Sequence, residues 1–377
     1  MSKKAVVAGH ICIDLTPMIP EQGSVQIQDI LSPGKLLNVS GIAIHTGGVV
    51  SNTGLAMKKL GADVVLAGKI GNDAFGDMAA GIIGQYGSSD GLIRSADSTS
   101  YSIVLAFPGV DRIILHNPGA NDTFCADDLP MDVIRESALF HFGYPPHMKR
   151  MFENEGAELI RMMRLVREAG TVTSLDMSMV DPKSEAGQVD WRSVLEKTLP
   201  YVDIFAPSVE ELTFMLDRDA YRKIKAKSSD ADFTELLDIE ADVEPLGSAC
   251  LELGAKIVLI KCGAPGLYYC TAGEQLLRQI GEKTGIDAAQ WADRKGFEQS
   301  FVPDRVLSGI GAGDTCVAAF LTAVLEGCSL EKSVQYASAT GACCVAAYDA
   351  LSGLKSFGEL DRKIAGGWKK ANCYNKQ

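Results

Sequence analysis

Short apolar runs rich in β-branched residues recur along the chain, separated by longer stretches in which apolar residues lie three or four positions apart. The short runs predict strands at residues 5–8, 63–68, 138–142, 171–175, 202–206 and 256–261. The longer stretches predict helices at residues 51–60, 153–169, 208–216, 315–326 and 330–348. Alternation of strands and helices is typical of a mostly parallel sheet covered by helices. We therefore expect an α/β fold.

Two segments have strand patterns without an intervening helix. The first spans residues 15–45, where positions 25–30 alternate between apolar and polar. The second has strand patterns at 100–107 and 112–116, joined by turn residues at 108–111. We expect these insertions, within about 15–45 and 98–118, to pair as a small sheet over the carboxyl edge of the large one. Such a lid would exclude water from a site beneath it.

Composition narrows the class of protein. The chain has 377 residues, 46% of them hydrophobic, and a net charge of −12, which argues against binding to a nucleic-acid backbone. No apolar run reaches membrane-spanning length, and the ten cysteines form no CxxC pair, so we expect reduced thiols in a cytoplasmic protein without a membrane partner. The five histidines lack zinc-site spacing. Two polar stretches, 217–245 and 273–304, predict solvated helices and loops.

A Gly-Ile-Gly-Ala-Gly-Asp-Thr string at residues 309–315 runs directly into a small, apolar helix pattern. Glycines permit a left-handed backbone with inward N–H groups, and the helix dipole adds its positive end, so this turn favours a bound anion. Asp314 is a poor anion ligand and a good proton acceptor, which indicates a base beside a transferring phosphate. Taken alone, the string favours a turn with Asp314 as a helix N-cap.

A second glycine cluster, at residues 47–56, also runs into a helix pattern and is followed by a Gly-Lys-Ile-Gly-Asn-Asp-Ala-Phe-Gly stretch at 68–76. Together with residues 311–314, these regions resemble the two signatures of the ribokinase-like (PfkB) family of carbohydrate and nucleoside kinases. The resemblance extends over essentially the whole chain. It implies one ribokinase-like domain over residues 1–377, a three-layer α/β fold with a mostly parallel central sheet flanked by helices, and a small β-sheet lid.

The activity that this resemblance implies is an ATP- and Mg2+-dependent phosphotransfer to a hydroxyl of a small sugar or polyol. Asp314 matches the family's catalytic base, and Gly311, Ala312 and Gly313 match its anion hole for the transferring phosphate. Lids of related proteins often pair between subunits, so the resemblance also implies a homodimer through the lid.

The acceptor contacts implied by the resemblance begin with Asp14, at the end of the first predicted strand. A carboxylate and an amide can bind paired hydroxyls, and glycines admit a sugar ring close to the backbone. Asp176 follows a predicted strand, where it either faces the cleft or caps a turn. The full set of substrate candidates is Asp14, Gly47, Gly48, Asn52, Asn121 and Asp176.

The nucleotide side is expected at Lys261, Gly263 and Gly266, where Lys261 either neutralises phosphate charge or only extends toward solvent. Glu211 matches the Glu of the family's Asn-x-x-Glu element, which helps to hold magnesium, but Ser208 stands where Asn is usual.

Some questions stay open at the level of sequence. Ser308 and Gly309 stand where the family commonly has an Asp that supports a monovalent-cation site, so K+ dependence is undecided.

Pentoses, hexoses, sugar acids, inositols and nucleosides all fit hydroxyl-binding side chains, and Arg112 would either meet an acidic group or face solvent. A nucleoside kinase is the first alternative. A sugar or nucleotide sensor without catalysis is a second, and a dehydrogenase is disfavoured because residues 9–14 lack the GxGxxG spacing.

Overall fold

The computed structural model of the protein describes residues 3–19, 33–105, 113–228 and 233–371, and its elements are numbered within these ranges. The strands are β1 (Lys4–Gly9), β2 (Cys12–Pro17), β3 (Ile42–Gly47), β4 (Asp63–Gly71), β5 (Leu92–Ser95), β6 (Tyr101–Leu105), β7 (Ile113–Asn117), β8 (Leu139–Gly143), β9 (Val172–Asp176), β10 (Ile204–Phe205), β11 (Ile257–Lys261), β12 (Gly266–Thr271) and β13 (Lys295–Gln299). The α-helices are α1 (Val49–Lys59), α2 (Ala74–Gly84), α3 (Met131–Glu136), α4 (Lys149–Glu168), α5 (Trp191–Thr198), α6 (Val209–Leu216), α7 (Arg218–Lys227), α8 (Glu244–Glu252), α9 (Glu274–Thr284), α10 (Ala288–Trp291), α11 (Ala312–Leu325), α12 (Leu330–Cys344) and α13 (Phe357–Ala365).

Nine strands form the large sheet, in the order β13-β12-β11-β10-β9-β8-β1-β4-β5. All neighbours from β11 to β5 are parallel, whereas β12 and β13 add an antiparallel edge. The six strands predicted from apolar runs all lie in the parallel part, so the predicted α/β class is confirmed. Parallel strands place their carboxyl ends at one edge of the sheet, where ligands of such folds bind.

The fold has three layers, a central sheet with helices on each face, as the alternate side chains of β1 show. Val6 and Ala8 pack in one hydrophobic core with residues of α4 and α5. Ala5 and Val7 pack in a second core with residues of α1 and α11. Because successive residues of a strand point to opposite faces, helices cover both faces of the sheet, as the resemblance implied.

The structure differs from the sequence predictions at two places. Strand β13 lies in the polar stretch 273–304, for which we predicted helices and loops; Phe297 is its one large apolar residue, so no strand pattern is visible there. Helix α4 begins before the predicted residue 153 and is interrupted at residues 153–156. Gly156 has φ 73°, and a Cβ there would lie 2.6 Å from Val194 Cγ1, so the close approach to α5 requires glycine.

A separate four-stranded sheet has the order β3-β2-β6-β7. Strands from both predicted insertions therefore pair with each other. Only residues 10 and 11 connect β1 to β2, so the chain passes from the large sheet into the small one beside the carboxyl edge. The predicted strand at 25–30, the turn at 108–111 and Arg112 lie outside the described residues.

His141 is fully buried in the middle of β8, with Nδ1 2.9 Å from Ser174 Oγ on β9. Burial, assisted by the charge of Lys261, lowers the pKa of His141 to about 3. The unfolded chain binds a proton at this residue below about pH 6.5, whereas the folded protein does not. Stability contributed by the neutral imidazole is therefore present above that pH and is lost as the pH falls toward 3.

We predict that His141→Gln removes part of the acid sensitivity of the fold. Between about pH 6 and pH 4, the difference in the free energy of unfolding between wild type and variant should change by about 1.4 kcal/mol per pH unit, with the wild type losing more. Urea unfolding at several pH values measures this difference. A difference independent of pH would contradict the prediction.

Candidate active site

The carboxyl edge of the large sheet brings together side chains from four distant segments. Asp176 is the last residue of β9, Lys261 is the last residue of β11, and Tyr144 directly follows β8. Asp314 lies in the first turn of α11, whose start faces the same edge. The parallel arrangement of the strands is what gathers these residues, because it aligns the strand ends.

Helix α11 begins at a glycine turn. Gly311 is the N-cap residue with φ 72°, and a Cβ there would lie 2.4 Å from Ala350 Cβ, so only glycine fits. The first N–H groups of a helix lack partners within the helix, which makes the Gly311–Gly313 turn suited to an anion. The side chain of Asp314 does not cap the helix. The simple N-cap interpretation of the glycine string is therefore wrong.

Asp314 is 5% exposed and accepts hydrogen bonds from three side chains. Asn52 Nδ2 donates to Oδ2 over 2.9 Å, and Thr53 Oγ1 donates to Oδ1 over 3.4 Å. Tyr144 Oη lies 2.8 Å from each carboxylate oxygen. Asn52, predicted to contact the sugar, thus contacts the predicted base. Thr53 and Tyr144 were missed by the sequence analysis.

A buried ion pair lies next to Asp314. Lys261 Nζ is 2.7 Å from both carboxylate oxygens of Asp176, and a Cβ on Gly313 would lie 3.7 Å from Nζ. Burial by itself lowers the pKa of Lys261, but the surrounding carboxylates, Asp176 and Glu211 foremost, outweigh it and raise the pKa above its usual value. Lys261 therefore holds a positive charge beside the glycine turn and does not extend into solvent.

Ser208 and Glu211 form a capping box at the start of α6. Glu211 Oε2 accepts from Ser208 N over 2.7 Å, and Ser208 Oγ accepts from Glu211 N over 3.3 Å. Ser208 also forms a parallel bridge with Lys261, which places Glu211 near the ion pair. This is a structural role for Glu211, and its predicted contact to magnesium stays a prediction.

Within the described ranges, no group of three or more His, Cys, Asp or Glu residues is placed to hold a metal ion by itself. Magnesium in kinases is usually held by one or two carboxylates together with phosphate oxygens and water. Glu211 beside Asp176 fits that second arrangement, in which the metal arrives with the nucleotide.

Asp14 lies on β2 of the small sheet, in register with His45 of β3 and Ser102 of β6. Burial raises the pKa of Asp14, and hydrogen bonds from Cys12 and Ser102 offset part of this rise. A Cβ on Gly47 would lie 2.2 Å from Asp14 Oδ2, so this glycine makes room for the carboxylate. The small sheet therefore presents Asp14 toward the edge of the large sheet.

Three histidines and Tyr144 form a ring cluster at the same edge, which sequence analysis missed. The centroid of His10 lies 5.3 Å from His116 and 6.0 Å from both His147 and Tyr144. Burial, together with His147 and His116, lowers the pKa of His10 well below its usual value, and burial lowers the pKa of His147 to about 4. Gly48, with φ 83°, allows the close approach of its backbone to His10. Burial also lowers the pKa of His116, so the cluster favours neutral imidazoles.

The remaining predicted residues have structural contacts. Asn121 is fully buried, and its amide bonds both the N–H and the carbonyl of Ile11, an arrangement that favours a structural role over the predicted hydroxyl contact. Gly263 and Gly266, with φ 64° and 143°, form the turn between β11 and β12. Their contact to nucleotide stays a prediction.

A cavity of about 1250 Å³ opens between the small sheet and the start of α11. Asp14, Asn52 and the backbone segment at 306–310 line it. A space of this size holds a small ligand together with part of a larger one. The predicted acceptor residue Asp14 thus borders the same cavity as Asn52, whose amide bonds Asp314, and as the segment that leads into the glycine turn.

The sequence profile described as "pfkB family carbohydrate kinase" matches residues 2–356 of this chain. The chain belongs to the pfkB family of carbohydrate kinases. The family indicated by the two glycine signatures is therefore confirmed, and with it the prediction that the protein is a carbohydrate kinase.

Relatives of this kinase carry names of sugar kinases. An uncharacterized sugar kinase of Archaeoglobus fulgidus is 25% identical over 80% of this chain and 98% of its own length. Probable fructokinase-4 of Arabidopsis thaliana is 28% identical, and that match spans 56% of this chain but only 61% of the relative.

Solved structures similar to the kinase include two ribokinases. Arabidopsis thaliana ribokinase complexed with ribose and ATP has a TM-score of 0.70 at 20% identity, with 96% of this chain and 98% of that chain covered. A putative ribokinase II from E. coli in complex with ATP and Mg2+ has a TM-score of 0.69 at 19% identity, with 97% and 99% covered. These similarities confirm the ribokinase-like fold. In the described part of the kinase, no helix is long and apolar enough to cross a membrane.

We predict that Lys261→Met destabilises the kinase by about 3–5 kcal/mol, because it leaves the Asp176 carboxylate buried without its cation. Adding Asp176→Asn should recover most of that loss. The measurement is the free energy of unfolding in urea for both single variants and the double variant. Lys197→Met, at an ion pair whose side chains are 47% and 79% exposed, is the control and should cost less than about 1 kcal/mol. If the losses in the free energy of unfolding of the two single variants simply added in the double variant, the predicted coupling between residues 176 and 261 would be contradicted.

Proposed function

We propose that this kinase transfers the γ-phosphoryl group of ATP to a hydroxyl of a small sugar or polyol, with Asp314 as the general base. The observation that carries the proposal is a buried carboxylate in the first turn of α11, held by three hydrogen-bond donors beside the Gly311–Gly313 turn. A base needs a fixed position within reach of the proton it takes, and a helix start offers N–H donors to the transferring phosphate. Both requirements meet within one turn of helix.

The reaction then divides between two parts of the proposed site, the small sheet and the start of α11. Asp14 orients the acceptor, whose hydroxyl oxygen forms the new bond to the γ-phosphorus while Asp314 takes its proton. The bond from the γ-phosphorus to the bridging oxygen breaks, and ADP leaves. The Gly311–Gly313 amides and the Lys261 ammonium stabilise the negative charge on the phosphoryl oxygens.

Magnesium bound with ATP would neutralise phosphate charge, with Glu211 as the carboxylate that would hold it. Asp176, paired with Lys261, would act on the phosphate side by fixing the ammonium. This assigns Asp176 to phosphate transfer, although the sequence analysis placed it among the sugar contacts.

A sugar or polyol is favoured over a nucleoside by the relatives, which are named sugar kinase and fructokinase, and by the ribose in the Arabidopsis ribokinase complex. A sensor without catalysis would not need a base, whereas here three side chains hold Asp314 in place.

The small sheet is proposed to act as the lid, since it carries Asp14 over the cavity. We further infer that it pairs with a second copy of the chain. Its strands expose apolar side chains, with Ile42 at 51%, Ile114 at 57% and Leu115 at 53%. Exposed apolar groups on edge strands favour contact with another protein surface.

We predict that Asp314→Asn lowers turnover by roughly 100- to 10,000-fold, the usual contribution of a general base, while the affinity for ATP changes little. ADP release from ATP and Mg2+ is measured with a panel of ribose, fructose, gluconate, myo-inositol and adenosine. Near-normal turnover in the variant would overturn the assignment of the base. If the wild type released no ADP with any compound of the panel but thermal shifts still showed that it binds a ligand, a sensor would be favoured.

We predict that Asn52→Ala lowers kcat about tenfold and changes the KM for the acceptor little, because its amide bonds the base. Thr53→Val is the matched variant and should have a smaller effect, since its hydroxyl bonds Asp314 over 3.4 Å. Steady-state kinetics with the acceptor found in the panel give both constants. A raised KM with unchanged kcat would instead support the direct sugar contact predicted from sequence.

A further inference from the structure

The carboxylate of Asp314 is surrounded by three donor side chains of the protein. Thr53 donates to Oδ1 and Asn52 donates to Oδ2, while the single Tyr144 hydroxyl hydrogen is shared between the two oxygens, each 2.8 Å from Oη. The Tyr144 oxygen therefore covers the side of the carboxylate that faces it. An acceptor hydroxyl that gives its proton to Asp314 from that side must take the place of Tyr144.

Tyr144 is the donor best suited to leave. Asn52 and Thr53 lie within α1, whose neighbouring residues are buried in the core, so their positions are fixed by helix packing. Tyr144 lies in the connection after β8 and has φ 67°, a left-handed conformation that is strained for a bulky residue. Its hydroxyl oxygen lies 2.8 Å from both oxygens of Asp314, so its departure uncovers both of them on that side.

We propose that the Tyr144 hydroxyl holds the place of the acceptor hydroxyl on Asp314, and that it keeps water from that place until the acceptor displaces it. This inference rests on the proposed role of Asp314 as the base. In this view Tyr144 is a positioning residue that acts through Asp314 and is not itself the proton acceptor. Burial, together with Asp314 and Asp176, raises the pKa of Tyr144 well above its usual value, so its hydroxyl remains a donor.

Kinases face a competing reaction in which water replaces the sugar. The water oxygen would form a bond to the γ-phosphorus, Asp314 would take a proton from the water, and the bond to the bridging oxygen would break to give ADP and inorganic phosphate. Exclusion of water from the base suppresses this hydrolysis. A tyrosine hydroxyl on both oxygens of Asp314 occupies the position from which water would be activated.

Tyr144→Phe isolates this effect because it removes only the hydroxyl. The ring of Tyr144 packs near His10 and His147, with centroids 6.0 and 6.2 Å away, and a phenylalanine ring keeps those contacts. The gap left beside Asp314 is the size of one hydroxyl oxygen, and a water placed there would again bond the carboxylate.

The experiment measures phosphate release from ATP and Mg2+ with no sugar present. We expect Tyr144→Phe to raise this rate about tenfold or more, the scale of one hydrogen bond to a charged group. Tyr221→Phe is the matched control, because this tyrosine packs on Phe214 at 5.2 Å in the core, and it should leave the rate at the wild-type value. The double variant Tyr144→Phe/Asp314→Asn should return the rate to the wild-type value or below.

An unchanged or lower rate in a folded Tyr144→Phe protein that still binds ATP would overturn the inference. If Asp314→Asn nevertheless abolished sugar phosphorylation, the proposed function would stand and only the role of Tyr144 would fail. A double variant that kept the raised rate would refute Asp314 as the base, and the inference with it. If Tyr144→Phe did not fold, Tyr144→Asn should give the same increase, since Asn tolerates the left-handed backbone.

Discussion

Burial of charge is the constraint on which the rest of this site depends. The ammonium group of Lys261 lies near three carboxylates, those of Asp176, Glu211 and Asp314. Each of these carboxylates raises the pKa of Lys261. Asp176 and Asp314 are buried and Glu211 is half-buried, and carboxylates removed from water are costly unless each is paired or hydrogen-bonded. Asp176 is paired, Glu211 caps a helix, and Asp314 has three donors. The ion pair is the most demanding of these arrangements, because the loss of Lys261 leaves the buried Asp176 carboxylate without its cation.

Ser208 and Lys261 lie side by side in the structure, joined by a parallel bridge. Ser208 stands where the family resemblance implies an asparagine, so an amide donor with reach toward phosphate is missing at this position. Lys261 supplies a positive charge beside the Gly311–Gly313 turn.

The two sides of the proposed site differ in electrostatic character. The proposed phosphate side holds the buried ion pair and the helix start, both of which attract negative charge. The proposed acceptor side, as far as the described residues show, holds Asp14 and imidazoles whose pKa burial keeps low, as at His10 and His147. Neutral rings with one N–H donor and one acceptor suit hydroxyl groups. Tyr144 lies where the two sides meet, in contact with Asp314 and near His10.

The sequence by itself determined the alternation of strands and helices and the glycine turn at the start of α11, and it was enough to indicate the family. Each of these features depends on residues that are close together along the chain. It did not reveal Tyr144 as a partner of Asp314, which lies 170 positions away, nor the pairing of Asp176 with Lys261 across 85 positions. Asn121 shows the same limit: a local match suggested a sugar contact, yet its amide bonds the backbone of Ile11, 110 positions away. Local patterns encode backbone conformation and burial, whereas the partners of a buried polar group are decided only when the sheet brings distant strand ends to one edge.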